Sequence, residues 1–329
     1  MKKLIAVLLF AAMLVGMMVG LTGCTGVDNT KLKIALVVAD KFGDRSFYDS
    51  SKAGLERLAA DFDVETSTIE CNGENHANQM RNAADKANIV VCVGWEFYDI
   101  ETIAPEYPDV RWIWVDNATT APVSNVLNIT YAQNEGSFLA GYIAAAMSET
   151  GVVGAVGGED SDTINDFIVG FEQGAKYFSA DTQTVHNYTD SYDDVAKGKD
   201  CALQLHEQNA DVVFQIASAA GDGVFQAAKE EGFYAIGVDS DQKFIDEDVI
   251  ICSMKKEVGN SIYAAIKDYI NNDTSRWGTT WVTGISDGYV GIGYGEEGAK
   301  QQVSDDLKAE VEALAEQIAS GEITVDTTR

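Results

Sequence analysis

Histidine, proline and basic residues are scarce in this chain of 329 residues, and each scarcity narrows the possible functions. The histidines are three, His76, His186 and His206, and they read as ordinary residues on or beside helices and strand ends. An enzyme needs a nucleophile with its base, a pair of acids or a metal cluster. The sequence reads without a nucleophile elbow, without His-Glu-x-x-His and without a phosphate loop, and no Gly-x-Gly-x-x-Gly opens the domain. A calcium–aspartate site for nucleoside hydrolysis would need more than Asp239 and Asp241. The prolines are also three, and no Pro/Gly/Ser-rich stretch separates the halves of the chain, which argues against a flexible tether between domains. Basic residues number 23 against 52 acidic ones, a formal charge of −29. Such a surface repels nucleic acid and anionic membrane faces, and no local basic pocket for a phosphate-rich ligand is visible. Beyond Cys24, the cysteines are Cys71, Cys92, Cys201 and Cys252. No two of them have metal-ligand spacing, so buried free thiols are expected. No cofactor and no metal is called for.

Only one long apolar run is present, and it stands at the start. Lys2 and Lys3 precede Leu4 to Thr22, and the run closes on Leu21-Thr22-Gly23-Cys24. A basic start, an apolar middle and small residues at the end make a secretory signal. A cysteine directly after the small residues is the arrangement of a lipoprotein signal, with Cys24 diacylated as the first mature residue. Residues 1–23 are then the signal peptide and 24–31 a polar tether. An uncleaved membrane helix is the competing reading, since about 20 apolar residues span a bilayer. Gly16, Gly20 and Gly23 speak for cleavage. The expected location is the extracytoplasmic face of the cell membrane, with the body in water and the lipid as anchor.

The rest of the chain alternates apolar strands with amphipathic helices. Strands are expected at 33–38, 64–69, 89–93, 111–115 and 125–130, with helices at 50–60, 75–86 and near 98–105. The pattern restarts with a long apolar helix at 134–147. Strands follow at 152–158, 183–188, 211–216 and 234–238, with helices at 163–178, 193–207 and 222–231. Strands at 250–252 and 281–284 and helices at 257–271 and 302–319 complete the reading. This is an α/β chain with two doubly wound, mostly parallel sheets joined by a multi-strand hinge. Lobe 1 is expected to hold 32–130 and about 253–285, and lobe 2 131–250 and about 288–325, with crossings near 130, 250 and 287.

Open parallel sheets bind ligands beyond the carboxyl ends of their strands, so those ends carry the candidate site. Phe47 lies on an aromatic loop after the first strand, where it either stacks on a planar ligand or packs the helix start. Gly94-Trp95-Glu96 follows the third strand; Glu96 either accepts ligand N–H bonds or caps the next helix. Asp116-Asn117 follows the fourth. The small-residue turn Ser218 to Gly221 lets a ligand approach the backbone or serves tight packing. The sharpest signal is Gly237-Val238-Asp239-Ser240-Asp241-Gln242, an apolar strand ending on a carboxylate able to accept from adjacent hydroxyls. Lys256, at the end of the next strand, stands where it pairs with Asp239 and reaches a ligand oxygen.

Three stretches carry a family resemblance: Glu135 to Tyr142, Val213 to Glu230 and Ile236 to Gln242. The chain resembles the basic membrane protein family of substrate-binding lipoproteins, whose kin include purine nucleoside receptors, over roughly residues 32–325. The resemblance implies a periplasmic-binding-protein-like fold, two lobes closing on a ligand, and service to an ABC permease and ATPase. It further implies that Phe47 and Tyr192 stack on a base, that Asp239 holds ribose hydroxyls, and that Lys256 and Asp40 contact the ligand. The expected ligand set is therefore Asp40, Phe47, Trp95, Glu96, Tyr192, Gly221, Asp239 and Lys256. The expected function is uptake of a nucleoside, purine favoured, by a monomer. The alternative is a sensing receptor, or a binder of a sugar or another ring compound, with no transport role. Two departures stand out. Kin often show Gly-Phe-Asn where this chain has Gly94-Trp95-Glu96, and the usual Ala-Gly-Gly-Thr-Gly loop is Ala217-Ser218-Ala219-Ala220-Gly221. An ionised glutamate only accepts, which favours a base edge rich in N–H donors, such as that of guanosine or inosine.

Overall fold

The computed structural model describes residues 31–327, so the signal, the lipidation at Cys24 and most of the tether lie outside the described residues. The first run of elements is β1 (Leu32–Val38), α1 (Phe47–Asp61), β2 (Val64–Glu70), α2 (His76–Ala84), β3 (Ile89–Val93), α3 (Ile100–Ile103), β4 (Arg111–Val115) and β5 (Val126–Tyr131). The second is α4 (Gln133–Met147), β6 (Val152–Gly157), α5 (Asp162–Phe178), β7 (Gln183–Tyr188), α6 (Val195–Glu207), β8 (Val212–Ile216), α7 (Asp222–Glu231), β9 (Tyr234–Asp239) and β10 (Ile250–Lys256). The chain then adds α8 (Val258–Ile270), β11 (Thr280–Thr283), β12 (Val290–Gly293) and α9 (Asp305–Ala319).

These strands form two six-stranded sheets, ordered β11-β5-β4-β3-β1-β2 and β12-β10-β9-β8-β6-β7. Every pair in the first is parallel. The second is parallel apart from the antiparallel β10–β12 pair. A parallel sheet is covered by helices on both faces, so its central strands read as unbroken apolar runs. Ile89-Val90-Val91-Cys92-Val93 and Val212-Val213-Phe214-Gln215-Ile216 are buried throughout, whereas the edge strand β2, Val-Glu-Thr-Ser-Thr-Ile-Glu, is largely exposed. Cys71, Cys92, Cys201 and Cys252 are free and buried. In the second layer α4 and α5 touch backbone to backbone: a Cβ on Gly174 would lie 1.8 Å from the Phe138 carbonyl oxygen.

Several boundaries differ from the sequence reading. Residues 253–256, expected in lobe 1, continue β10 and pair with both β9 and β12, so the chain leaves the second sheet at Glu257 and not near 250. Apolar Ile250-Ile251-Cys252 marks only the buried half of that strand; the Lys255-Lys256 end looked like a loop because of its charge. The strand β12, Val-Gly-Ile-Gly, is too short and glycine-rich to announce itself. The helix expected at 98–105 is broken into a 3-10 turn at Trp95–Phe97, α3, and a second turn at Ala104–Glu106 that carries Pro105. The helix α1 starts at Phe47 and not at 50, and α9 starts at Asp305 and not at 302, where the Ser304 hydroxyl accepts the Leu307 N–H at 3.2 Å. Among the described residues no helix is long and apolar enough to cross a membrane.

Candidate ligand-binding site

The carboxyl ends of the strands converge on one crevice. Asp116 after β4, Ser218 after β8 and Asp239 at the end of β9 have φ of 73°, 50° and 61°, and Arg45 on the loop after β1 has φ of 52°. A left-handed backbone is unfavourable for a residue with a side chain, by about 1–2 kcal/mol each. Such conformations gather where a site over-determines them. Between these ends lies an empty space of about 670 Å³, part of it open to solvent.

Both sheets supply the wall. Phe47, Trp95, Glu96, Tyr192, Asp239 and Lys256 all line the space. Trp95 is 45% exposed and stands at the mouth. The Tyr192 ring packs against Gly158, where a Cβ would meet its Cε1 at 2.1 Å. Asp40 lines a smaller neighbouring space of about 310 Å³, which shares Tyr48, Tyr192 and Ser218 with the main one. Gly221 lines neither; it is pressed against Gln215, whose Oε1 would sit 1.9 Å from an added Cβ. That glycine is explained by packing. Sequence reasoning missed Tyr48, Thr163, Ile164 and Phe167, which also face the space. Ile164 and Phe167 come from α5, where one apolar helical face looks like another until the helix is placed.

The polar end of the cavity is built around Lys256. It is 2% exposed, and its Nζ bonds Asp116 Oδ1 at 2.7 Å. The direct partner is thus Asp116, not Asp239 as the sequence led one to expect. Phe47, Tyr131 and Phe167 present their rings to the same Nζ at 5.1, 5.0 and 5.3 Å, so the ammonium is held by cation–π attraction as well. Asp239 accepts from Ser46 Oγ at 2.6 Å. Burial pushes its pKa up to about 6, against the pull of the nearby Lys256 charge and the Ser46 bond. At the other end Glu96 is raised to about 7 by burial first, against a bond from its own backbone N–H, and further by Glu159, Asp116 and Asp40. Burial likewise holds the Tyr48 and Tyr192 phenols above their usual range.

The loop after β1 bolts one lobe to the other. The Asp44 carboxylate accepts from the backbone N–H groups of Ser46, Tyr48 and Asp49 at 3.1, 2.9 and 3.0 Å, which fixes the start of α1. It also accepts from Ser218 Oγ of the opposite lobe at 3.1 Å. Arg45 pairs with Asp222, and its carbonyl accepts from Gln242 Nε2 at 3.2 Å. The lobes are therefore closed on the cavity. One Gly-x-Ser-x-Gly spelling does occur, at residues 284–288, but it forms an exposed 3-10 turn at a crossing between the sheets. A nucleophile elbow needs a strand-to-helix turn, which is absent there. No group of metal-ligating side chains is found among the described residues.

A family model described as ABC transporter substrate-binding protein PnrA-like, or Bmp, matches residues 31–329. The chain belongs to this family. Basic membrane protein A2 of Borrelia garinii subsp. bavariensis is 28% identical over 331 residues, 99% of this chain and 96% of its own. Basic membrane protein B of Borreliella burgdorferi is 30% identical over 290 residues, 83% of this chain and 85% of its own. The crystal structure of an ABC transporter solute-binding protein from Aeropyrum pernix K1 superposes with a TM-score of 0.80 at 25% identity, covering 91% of this chain and 94% of that one. Two mostly parallel, helix-flanked sheets are the periplasmic-binding-protein-like architecture of such proteins. This Bmp-family protein is thus a non-catalytic binder of a small solute that works with an ABC permease and ATPase.

Proposed function

We propose that this protein captures a nucleoside, purine favoured, between its lobes and hands it to its permease, while a diacyl anchor on Cys24 keeps it at the extracytoplasmic face of the membrane. The observation that carries the reading is the division of the cavity. Aromatic rings, Phe47 and Tyr192 among them, line it together with a buried carboxylate, Asp239, whose pKa is raised because burial disfavours its charge. A planar base suits the rings, and a vicinal diol suits the carboxylate. Phe47 reaches the cavity from the first lobe and Tyr192 and Asp239 from the second, so one ligand would join both. Closure would then be driven by the ligand's differential contacts with the closed state.

The test is calorimetric. The full chain, purified in detergent, is unfolded and refolded to strip carried solute. It is then titrated with guanosine, inosine, adenosine, cytidine and uridine. Micromolar or tighter binding of at least one purine nucleoside is expected. Failure of all five removes the nucleoside reading and leaves the solute-binding role intact.

A further inference from the structure

We infer that Glu96 selects the ligand by its base edge, accepting two N–H groups of a guanine-type edge when ionised and pairing with an adenine-type edge only when protonated. The inference rests on the nucleoside reading above and adds to it a specificity residue and a dependence on pH.

The turn after β3 places Glu96. Gly94 has φ of 127°, and a Cβ there would lie 2.4 Å from Glu96 Oε2 and 3.0 Å from the Ala39 Cβ. Only glycine leaves the carboxylate this position. Glu96 lines the main cavity, and its Oε2 is buried with no hydrogen-bond partner among the described residues. An unsatisfied buried acceptor is costly, and native sites rarely keep one without a use. Within the protein its own backbone N–H bonds the carboxyl and leaves Oε2 open. The charges acting on it are Glu159, Asp116 and Asp40, from loops after β6, β4 and β1. Burial first, then the Glu96 charge (after Glu159 at Tyr192), raises the Tyr48 and Tyr192 phenols and the Cys71 thiol, which face it from α1, from the loop before α6 and from the end of β2. His76 of α2 packs edge-on against neighbouring Phe97 and bonds the Ala39 carbonyl at 3.1 Å. The cation of the cavity, Lys256, is taken by Asp116. Oε2 is thus left open to a donor from the ligand.

The chemistry of the edges sets the selection. An ionised carboxylate only accepts, whereas a protonated one donates once and accepts once. Guanine offers two donors side by side, N1–H and N2–H. Adenine offers one donor, N6–H, beside the acceptor N1. With the carboxyl titrating at about 7, both states are accessible near neutrality. Guanosine binding favours ionisation and strengthens as pH rises; adenosine binding favours the protonated form and weakens.

The experiment titrates guanosine and adenosine into the stripped full chain from about pH 5.5 to about pH 8, with a single proton linked to each ligand. Guanosine should gain up to about 30-fold across this range and adenosine should lose, so their affinity ratio should shift by at least about tenfold. The ratio is the proper readout because Asp239 also titrates in this window, and it meets the same ribose in both ligands. In Glu96→Gln the ratio should become independent of pH. A ratio that does not move with pH in the unaltered protein overturns the inference, even if the variant fails to fold. A pH-dependent ratio that survives in Glu96→Gln also overturns it. Absence of binding by every nucleoside overturns the underlying reading instead, and with it this one.

Discussion

Replacing Asp239 with Asn should raise the stability of the empty protein and weaken its hold on ligand. The side chain is 8% exposed, and its pKa in the folded state stands at about 6 against an ordinary 3.8, chiefly because burial penalises the charge. A folded-state pKa above the unfolded one means that the folded protein keeps the proton longer. Stability is therefore lost as pH rises from 3.8 through about 6 and stays low above that. The total is about 3 kcal/mol at pH near 7.5, and only about 1 kcal/mol at pH near 4.5, where the side chain is mostly protonated when folded. Asparagine keeps the shape and an acceptor for the Ser46 hydroxyl but carries no charge. Urea unfolding of unaltered protein and variant at both pH values measures the difference. The variant should be more stable at the higher pH by about 3 kcal/mol, and the gap should shrink to about 1 kcal/mol at the lower. The same variant should bind a nucleoside at least about a hundredfold more weakly, since two bonds to a charged acceptor are each worth about 1.5–3 kcal/mol. A variant less stable than the parent at pH near 7.5 would refute the electrostatic reasoning, and unchanged affinity would take Asp239 out of the site.

Other consequences can be checked independently. Arg45→Ala removes an ion pair between the lobes, and scattering or a fluorescent pair across the cleft should report a more open empty protein, with affinity reduced several-fold; an unchanged profile would show that the Arg45–Asp222 pair does not hold closure. Gly174→Ala forces a methyl to within 1.8 Å of a backbone carbonyl where α4 meets α5. It should lower unfolding stability by about 3 kcal/mol, and a loss below about 1 kcal/mol would mean that the helices separate freely. Burial pushes the Cys71 thiol up to about 12 and holds Cys92 and Cys252 above their usual range as well. None of these three should react with a thiol reagent at neutral pH until denaturant is added, and rapid native labelling at any of them would contradict the burial.

Much of the architecture was legible from the chain alone. Apolar runs such as Ile89 to Val93 and Val212 to Ile216 suit strands covered on both faces, and their alternation with amphipathic helices points to parallel sheets. The strand ends were legible for the same reason, since a polar residue that closes a buried run, as Asp239 does, must lie at a sheet's carboxyl edge. Local pattern does not tell which side chains meet across the cleft. Sequence placed Lys256 beside Asp239, but the fold brings Asp116 from the other sheet to its Nζ. The small-residue turn at Ser218 to Gly221 read as room for a ligand or as tight packing; Ser218 lines the cavity, while Gln215 presses on Gly221. Phe167 and Ser46 gave no signal, because their roles depend on partners far along the chain: a ring against Lys256 in one case, a hydroxyl on Asp239 in the other. Periodicity records which face of each element is buried, and that much the sequence determined. Pairing between lobes is decided by long-range closure, where distance and desolvation act together, and only the tertiary structure contains it.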